Sequence, residues 1–208
     1  MIIGISGVAR SGKDTLANGF VRILKEIGVK SQRLALADEL KSECRSFIKK
    51  TLNIDVLNMT DEEKKIVRPF LVFWGTHVRR KANENCWIDA LEKRKKPDTL
   101  TIVSDIRYQN EADWIKESGG FLIHIARLDQ NGEFIQPPNE EEKENDPLLI
   151  EKSNISFVWN TFGDKDVKLL TDYCYAFFES SFSSEVIEQW QTTYPLSKKL
   201  KKTKTKIA

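Results

Sequence analysis

Behind a short apolar start, MII, residues 4–15 read GISGVARSGKDT. Gly7, Gly12 and Lys13 fit the spacing Gly-x-x-x-x-Gly-Lys, and the chemistry of that spacing is phosphate binding. Glycines let the chain turn tightly, so that successive N–H groups converge on an anion. A helix starting near Gly12 aims the positive end of its dipole at the same place, and Lys13 reaches the β- and γ-phosphates of a nucleotide. Gly7, Arg10, Ser11, Gly12, Lys13 and Thr15 are the candidate nucleotide-binding residues. An ordinary strand-to-helix turn would also use glycines, but here a buried strand precedes the motif and a helix follows it, the context that identifies a phosphate loop. Asp14 stands where a serine or threonine that coordinates Mg2+ is usual. Its carboxylate could serve the ion through water, with Thr15 sharing the role. It could equally be a catalytic aspartate beside the phosphoryl acceptor, and the sequence leaves both open.

Further candidates lie downstream. Asp105 and Arg107 follow the apolar run LTIVSD, at the strand end where open α/β sheets bind ligands. Asp105 can hold Mg2+ or accept a hydrogen bond from the acceptor, and Arg107 can clamp phosphate with two parallel bonds. A structural Asp–Arg pair is the plainer alternative. Glu111, one turn on, could orient that guanidinium or be an exposed helix partner. Arg68, Arg79 and Arg80 lie on or beside a helix expected over 60–84, whose apolar face is Val67, Phe70, Leu71, Trp74 and Val78. Such a cluster could offset the charge of an acceptor phosphate, Arg79 being the strongest candidate. Trp74 is read as core or as a base-stacking ring. Arg127 opens a polar segment and could stabilise the transferring group. His77 and His124 show no metal-binding pattern, and His124, inside an apolar strand, reads as a satisfied core residue.

These residues need a scaffold, and the hydrophobic pattern describes one. Apolar runs predict strands at MIIGIS, SQRLALAD (31–38), LTIVSD (100–105), FLIHIA (121–126) and ISFVWN (155–160). Helical spacing predicts helices from Gly12 to a stop at Gly28, over 39–52, over 60–84, after Asp105, and from about Asp164 to Phe178. Thr60 with Glu63 reads as a capping box, and Pro69 as a kink or the true start of its helix. Strands alternating with helices imply an α/β domain with a mostly parallel sheet. Residues 128–147 carry three prolines and no periodicity, so they are expected to be a lid loop. One domain over 1–190 is expected, followed by a basic, disordered tail over 191–208.

The series SGVARSGKDT, then RPFLVFWGT with Arg79 and Trp87, then VSDIRYQNEADWIKESGG, resembles the bacteriophage deoxynucleoside monophosphate kinases. It is also similar to the animal-type phosphomevalonate kinases, which share the SGKD loop and the DxR strand end. The likeness runs from about Met1 to Phe178 and implies the P-loop nucleoside monophosphate kinase fold, a parallel five-stranded sheet flanked by helices. Arg127 fits the pattern, as does a turn from Asn160 to Gly163, which adds Asn160 to the nucleotide-binding candidates. The resemblance implies transfer of the γ-phosphoryl of ATP, with Mg2+, to a deoxynucleoside monophosphate. The catalytic set would be Lys13, Asp14, Asp105, Arg107 and Arg127, the metal ligands Asp14, Thr15 and Asp105, and the acceptor residues Arg68, Trp74, Arg79 and Glu111. Alternatives are a phosphomevalonate or dephospho-coenzyme A kinase and, further off, a P-loop ATPase switch. The sequence departs from the family before the last strand, where ENDPLLIEKSN leaves only Asp146 or Glu151 to replace a His/Glu-x-Ser-Glu stretch.

Composition excludes other classes. Lys and Arg number 33 against 31 Asp and Glu, a net charge of +2 that makes no general case for nucleic acid or membrane as a partner. Three scattered cysteines fit a reducing compartment rather than a disulfide framework. No apolar run approaches the roughly 20 residues of a membrane span. The expectation is a soluble, cytoplasmic protein (in the host cytoplasm if viral), with a homodimer left open.

Overall fold

The computed structural model describes residues 1–160 and 167–196. The expected Asn160–Gly163 turn, the start of the helix expected from Asp164, and the lysine-rich residues from 197 onward therefore lie wholly or partly outside the described residues. The chain divides into two compact units, Met1–Arg33 with Lys96–Ala208, and Leu34–Lys95.

The first unit is built on β1 (Ile2–Ser6), β3 (Leu100–Ile106), β4 (Phe121–Arg127) and β5 (Ile155–Trp159). With β2 (Ser31–Leu34) they form a five-stranded sheet in the order β2-β3-β1-β4-β5. β1 runs parallel to both β3 and β4, and β4 runs parallel to β5. The unbroken apolar runs are explained by burial on both faces. Ile3, Ile5, Ile102, Ile123 and Ile125 point to one face, where α1 (Lys13–Glu26), α7 (Val167–Ser181) and α8 (Ser184–Thr193) bring Leu16, Phe20, Phe177, Phe178, Phe182 and Trp190. On the other face Ile115 of α5 (Gln109–Glu117) closes over Gly4, Leu122 and Ile106. α6 (Glu140–Lys152) packs against α5 and β4.

One irregularity matters for function. Gly4 and Ser6 of β1 face Val103 and Ile106 of β3, so three residue steps on β3 match two on β1. The slip falls at Ser104 and Asp105, beside the phosphate loop. Such irregularities re-aim side chains at sheet rims.

The second unit is helical: α2 (Leu36–Leu52), α3 (Asp61–Val72), a π-helical run Phe73–Arg80, and α4 (Cys86–Glu92). Its core is Cys44, Ile48, Ile54, Val56, Val67 and Leu71. The Thr60–Glu63 capping box forms in both directions, Glu63 N–H to Thr60 Oγ1 at 3.2 Å and Thr60 N–H to Glu63 Oε2 at 2.7 Å. Pro69 lies inside α3, and the helix widens to π winding four residues later. Such windings gather at functional sites.

Three expectations change, and two helices are added to those expected. The strand expected over 31–38 stops at Leu34, because Leu36–Asp38 open α2. Residues 140–147, expected as lid loop, are the first half of α6, with Asn139 as N-cap accepting from Glu142 N–H at 2.8 Å. α4 and α8 went unread. Within the tail expected from 191, Gln191–Thr193 complete α8 and Pro195 bridges to Val29.

Candidate active site

The loop Gly7–Gly12 leaves β1 at the carboxyl edge of the sheet and enters α1. Gly7 (φ 135°) and Gly12 (φ 94°) occupy backbone that other residues rarely adopt, and space confirms the need. A Cβ on Gly7 would meet Ile125 O at 2.2 Å, and one on Gly12 would meet Trp159 Cζ2 at 2.3 Å. Trp159, at the end of β5, also donates Nε1–H to Ser11 O at 2.7 Å, so the last strand clamps the loop. Arg10 adopts φ 69° without being glycine, and Arg127 NH1 donates to its carbonyl at 3.3 Å. Ser11 is fully buried, and its hydroxyl has no hydrogen-bond partner among the described residues. A buried polar group of this kind awaits a ligand or water.

Lys13 is 7% exposed and donates its ammonium to Gly7 O at 2.6 Å and Val8 O at 2.7 Å. Burial, then the positive charge of Arg107, lower its pKa to about 8, partly offset by Glu142, Asp105 and Asp14. The charges of Arg107, Glu142, Asp105 and Asp14 are thus all felt at the Lys13 ammonium.

Asp14 is 71% exposed on its side chain, yet it is held. Arg33 NH2 meets its Oδ1 at 2.5 Å, Ser104 Oγ donates to the same oxygen at 3.1 Å, and Arg33 Nε donates to Ser104 Oγ at 3.1 Å. Arg107 NH1 donates to Glu142 Oε1 at 2.7 Å. Glu111 Oε2 accepts the main-chain N–H of Arg107 at 2.7 Å and of Tyr108 at 3.1 Å, fixing the entry of the chain into α5. Thr15 is exposed on the first turn of α1, and Asn160 is exposed beyond β5. His124, as expected, is a satisfied core residue, its Nε2 3.0 Å from Asp146 Oδ1.

Within the helical unit, Arg68 is exposed on α3. Trp74 Nε1 donates to Glu43 Oε1 at 2.8 Å, Arg79 Nε to Glu43 Oε2 at 3.2 Å, and the Arg79 guanidinium lies 5.6 Å from the centre of the Trp87 ring. Phe47, Phe70 and Trp74 form a ladder of stacked rings, 5.4 and 6.4 Å apart with interplanar angles of 26° and 17°.

Sequence reasoning missed Arg33, Ser104, Glu142 and Trp159. Of these, only Glu142 carried a local signal: an asparagine followed by three glutamates, which is a helix start.

A glycine loop at the carboxyl edge of a parallel sheet, with its lysine inside and arginines at the ends of both strands flanking β1, is the geometry of a P-loop phosphate site. The model of the phosphomevalonate kinase family matches residues 5–120, and the chain belongs to that family. It is 30% identical to a protein of Acanthamoeba polyphaga mimivirus provisionally named a deoxynucleotide monophosphate kinase, over 61% of this chain and 74% of that protein. It is 29% identical to the phosphomevalonate kinase of Drosophila melanogaster, over 57% of this chain and 61% of the fly enzyme. Among solved structures, the dephospho-CoA kinase from Campylobacter jejuni aligns over 86% of this chain and 96% of its own at 14% identity and a TM-score of 0.35, a likeness that adds nothing to the sheet order above. The chain is a kinase acting on a small phosphate-bearing acceptor. Among the described residues, no helix is long and apolar enough to cross a membrane.

Proposed function

We propose that the protein transfers the γ-phosphoryl of ATP to a deoxynucleoside monophosphate, giving the diphosphate. The observation that carries this choice of acceptor is the ladder Phe47–Phe70–Trp74, in the unit that also bears Arg68, Arg79 and Arg80. A base adds one more ring to such a stack, whereas an aliphatic acceptor gains nothing from it. The mimivirus relative's name points the same way.

Phosphoryl transfer asks the protein mainly for positioning and for neutralisation of charge on three equatorial oxygens. The loop N–H groups and the unpartnered Ser11 hydroxyl receive the phosphates. The Lys13 ammonium exchanges two carbonyls for phosphate oxygens, and Arg107 and Arg127 face the transferring group. Asp14, Thr15 and Asp105 offer the hard oxygen donors that would hold Mg2+, which would supply further charge neutralisation. Asp14, already engaged by Arg33 and Ser104, is fixed in place to accept a hydrogen bond from the acceptor.

The second reading, phosphomevalonate as acceptor, is favoured by the family model itself. One experiment separates them: ADP release measured with deoxynucleoside and ribonucleoside monophosphates and with mevalonate phosphate. Turnover with the deoxynucleotides is expected. Turnover with mevalonate phosphate alone would replace the first reading by the second.

A further inference from the structure

α6 begins with three acids, and their fates differ. Glu140 is exposed, Glu141 is half-buried and accepts from the Tyr108 hydroxyl at 3.2 Å, and Glu142 is 8% exposed. The two oxygens of Glu142 are divided between the parts of the kinase site. Ala9 N–H of the phosphate loop donates to Oε2 at 2.7 Å, and Arg107 NH1 donates to Oε1 at 2.7 Å. A carboxylate bridging a loop amide and a guanidinium is chemically what a phosphate does in the same cradle. Lys13 is meanwhile turned onto Gly7 O and Val8 O. Three donors suited to nucleotide phosphates are thus satisfied from within the chain.

α6 is also built to part in the middle. Beyond Pro147 the helix is anchored by Leu149 in the core and by Lys152 on Asp113, while Asp146, bonded to His124, ends the segment before the proline. Pro147 has no N–H to offer the Lys143 carbonyl, so the helical ladder is interrupted between the turn that carries Glu142 and the anchored half. The approach to that turn, Gln136-Pro137-Pro138-Asn139, adds no strand or helix to hold it.

We propose that Glu142 is an affinity-setting residue of the phosphate site, a tethered carboxylate that occupies the loop amide and Arg107 until a nucleotide phosphate exchanges it out. The inference rests on the reading that this loop takes ATP. Displacement frees Arg107 for the transferring group and releases the first turn of α6 at the moment the donor arrives. Removing the carboxylate therefore strengthens nucleotide binding, although it deletes two hydrogen bonds of the folded protein.

The test is calorimetric titration of the full chain, Glu142→Gln and Glu142→Ala with ATP and with inorganic tripolyphosphate. Both ligands are expected to bind Glu142→Gln about tenfold tighter than the native chain, and Glu142→Ala at least as tightly. In the native chain, amides 140–145 should exchange faster with solvent when tripolyphosphate is added. Unchanged or weaker binding by the variants, or slower exchange at 140–145, overturns the proposal and makes Glu142 a fixed buttress, while ATP turnover by the native chain leaves the kinase reading intact. If neither ligand binds the native chain or the variants, both readings fall together.

Discussion

Lys13 is a charge kept in a place that disfavours it. Desolvation and the neighbouring Arg107 bring its pKa from 10.5 down to about 8 in the folded protein. Below pH 8 both folded and unfolded chains carry the proton, so the folded state bears the full cost of the buried charge. Between pH 8 and 10.5 the unfolded chain binds more protons at this residue, and the Lys13 contribution to stability rises with pH, by roughly 3 kcal/mol across the window. The melting temperature of the native chain should therefore gain on that of Lys13→Met as pH is raised from 8 to 10.5, while the variant shows no phosphoryl transfer at any pH. A constant difference in melting temperature across that window would mean that Lys13 is not depressed. Phosphate oxygens in place of the two carbonyls would bring negative charge to the ammonium and offset that cost.

Among the elements, β5 has a role beyond the sheet. Its last residue, Trp159, lies over Gly12 and bonds Ser11 O, so any side chain at Gly12 meets both a forbidden φ and an indole. Gly12→Ala should lose about 2–4 kcal/mol of stability in urea unfolding, from the left-handed backbone and from overpacking together; a loss under 1 kcal/mol would show that the indole moves aside easily. The sequence announced the loop but not this clamp, and the reason is distance along the chain. Gly7, Gly12 and Lys13 act through local spacing, which a pattern can show. Arg33 and Ser104 reach Asp14, and Trp159 the loop, only because the strand order sets β2 beside β3, β3 and β4 beside β1, and β5 beside β4. The strands themselves were legible as apolar runs, being buried on both faces. β2 was overextended because Leu34, Ala35 and Leu36 suit a strand and a helix start equally. α6 buries only Glu142 and Leu149, so it has no apolar stripe to read, and Pro147, with Pro137 and Pro138 just ahead of the helix, imitates a loop.

For the whole molecule, the division into a sheet unit and a helical unit invites a division of labour, donor chemistry in the first and acceptor recognition in the second. Arg79→Ala should then raise the acceptor KM by ~10–100-fold and leave the ATP KM within about twofold. Equal effects on both constants would remove Arg79 from acceptor recognition. A different consequence follows from the place of β1. It is the first strand of the chain and the central one of the sheet, hydrogen-bonded to β3 from residue 101 and to β4 from residue 121. Later still, the Met1 amino group donates to the Tyr194 hydroxyl at 2.6 Å, and Trp190 Nε1 approaches Met1 Sδ at 3.0 Å. During synthesis on a ribosome β1 emerges before β3 and β4 and must wait, unpaired, for partners about a hundred residues behind it. Loops of that length close at an entropic cost that local contacts cannot offset, so the sheet forms late and slowly. The phosphate loop is made long before the strands that let it hold a phosphate.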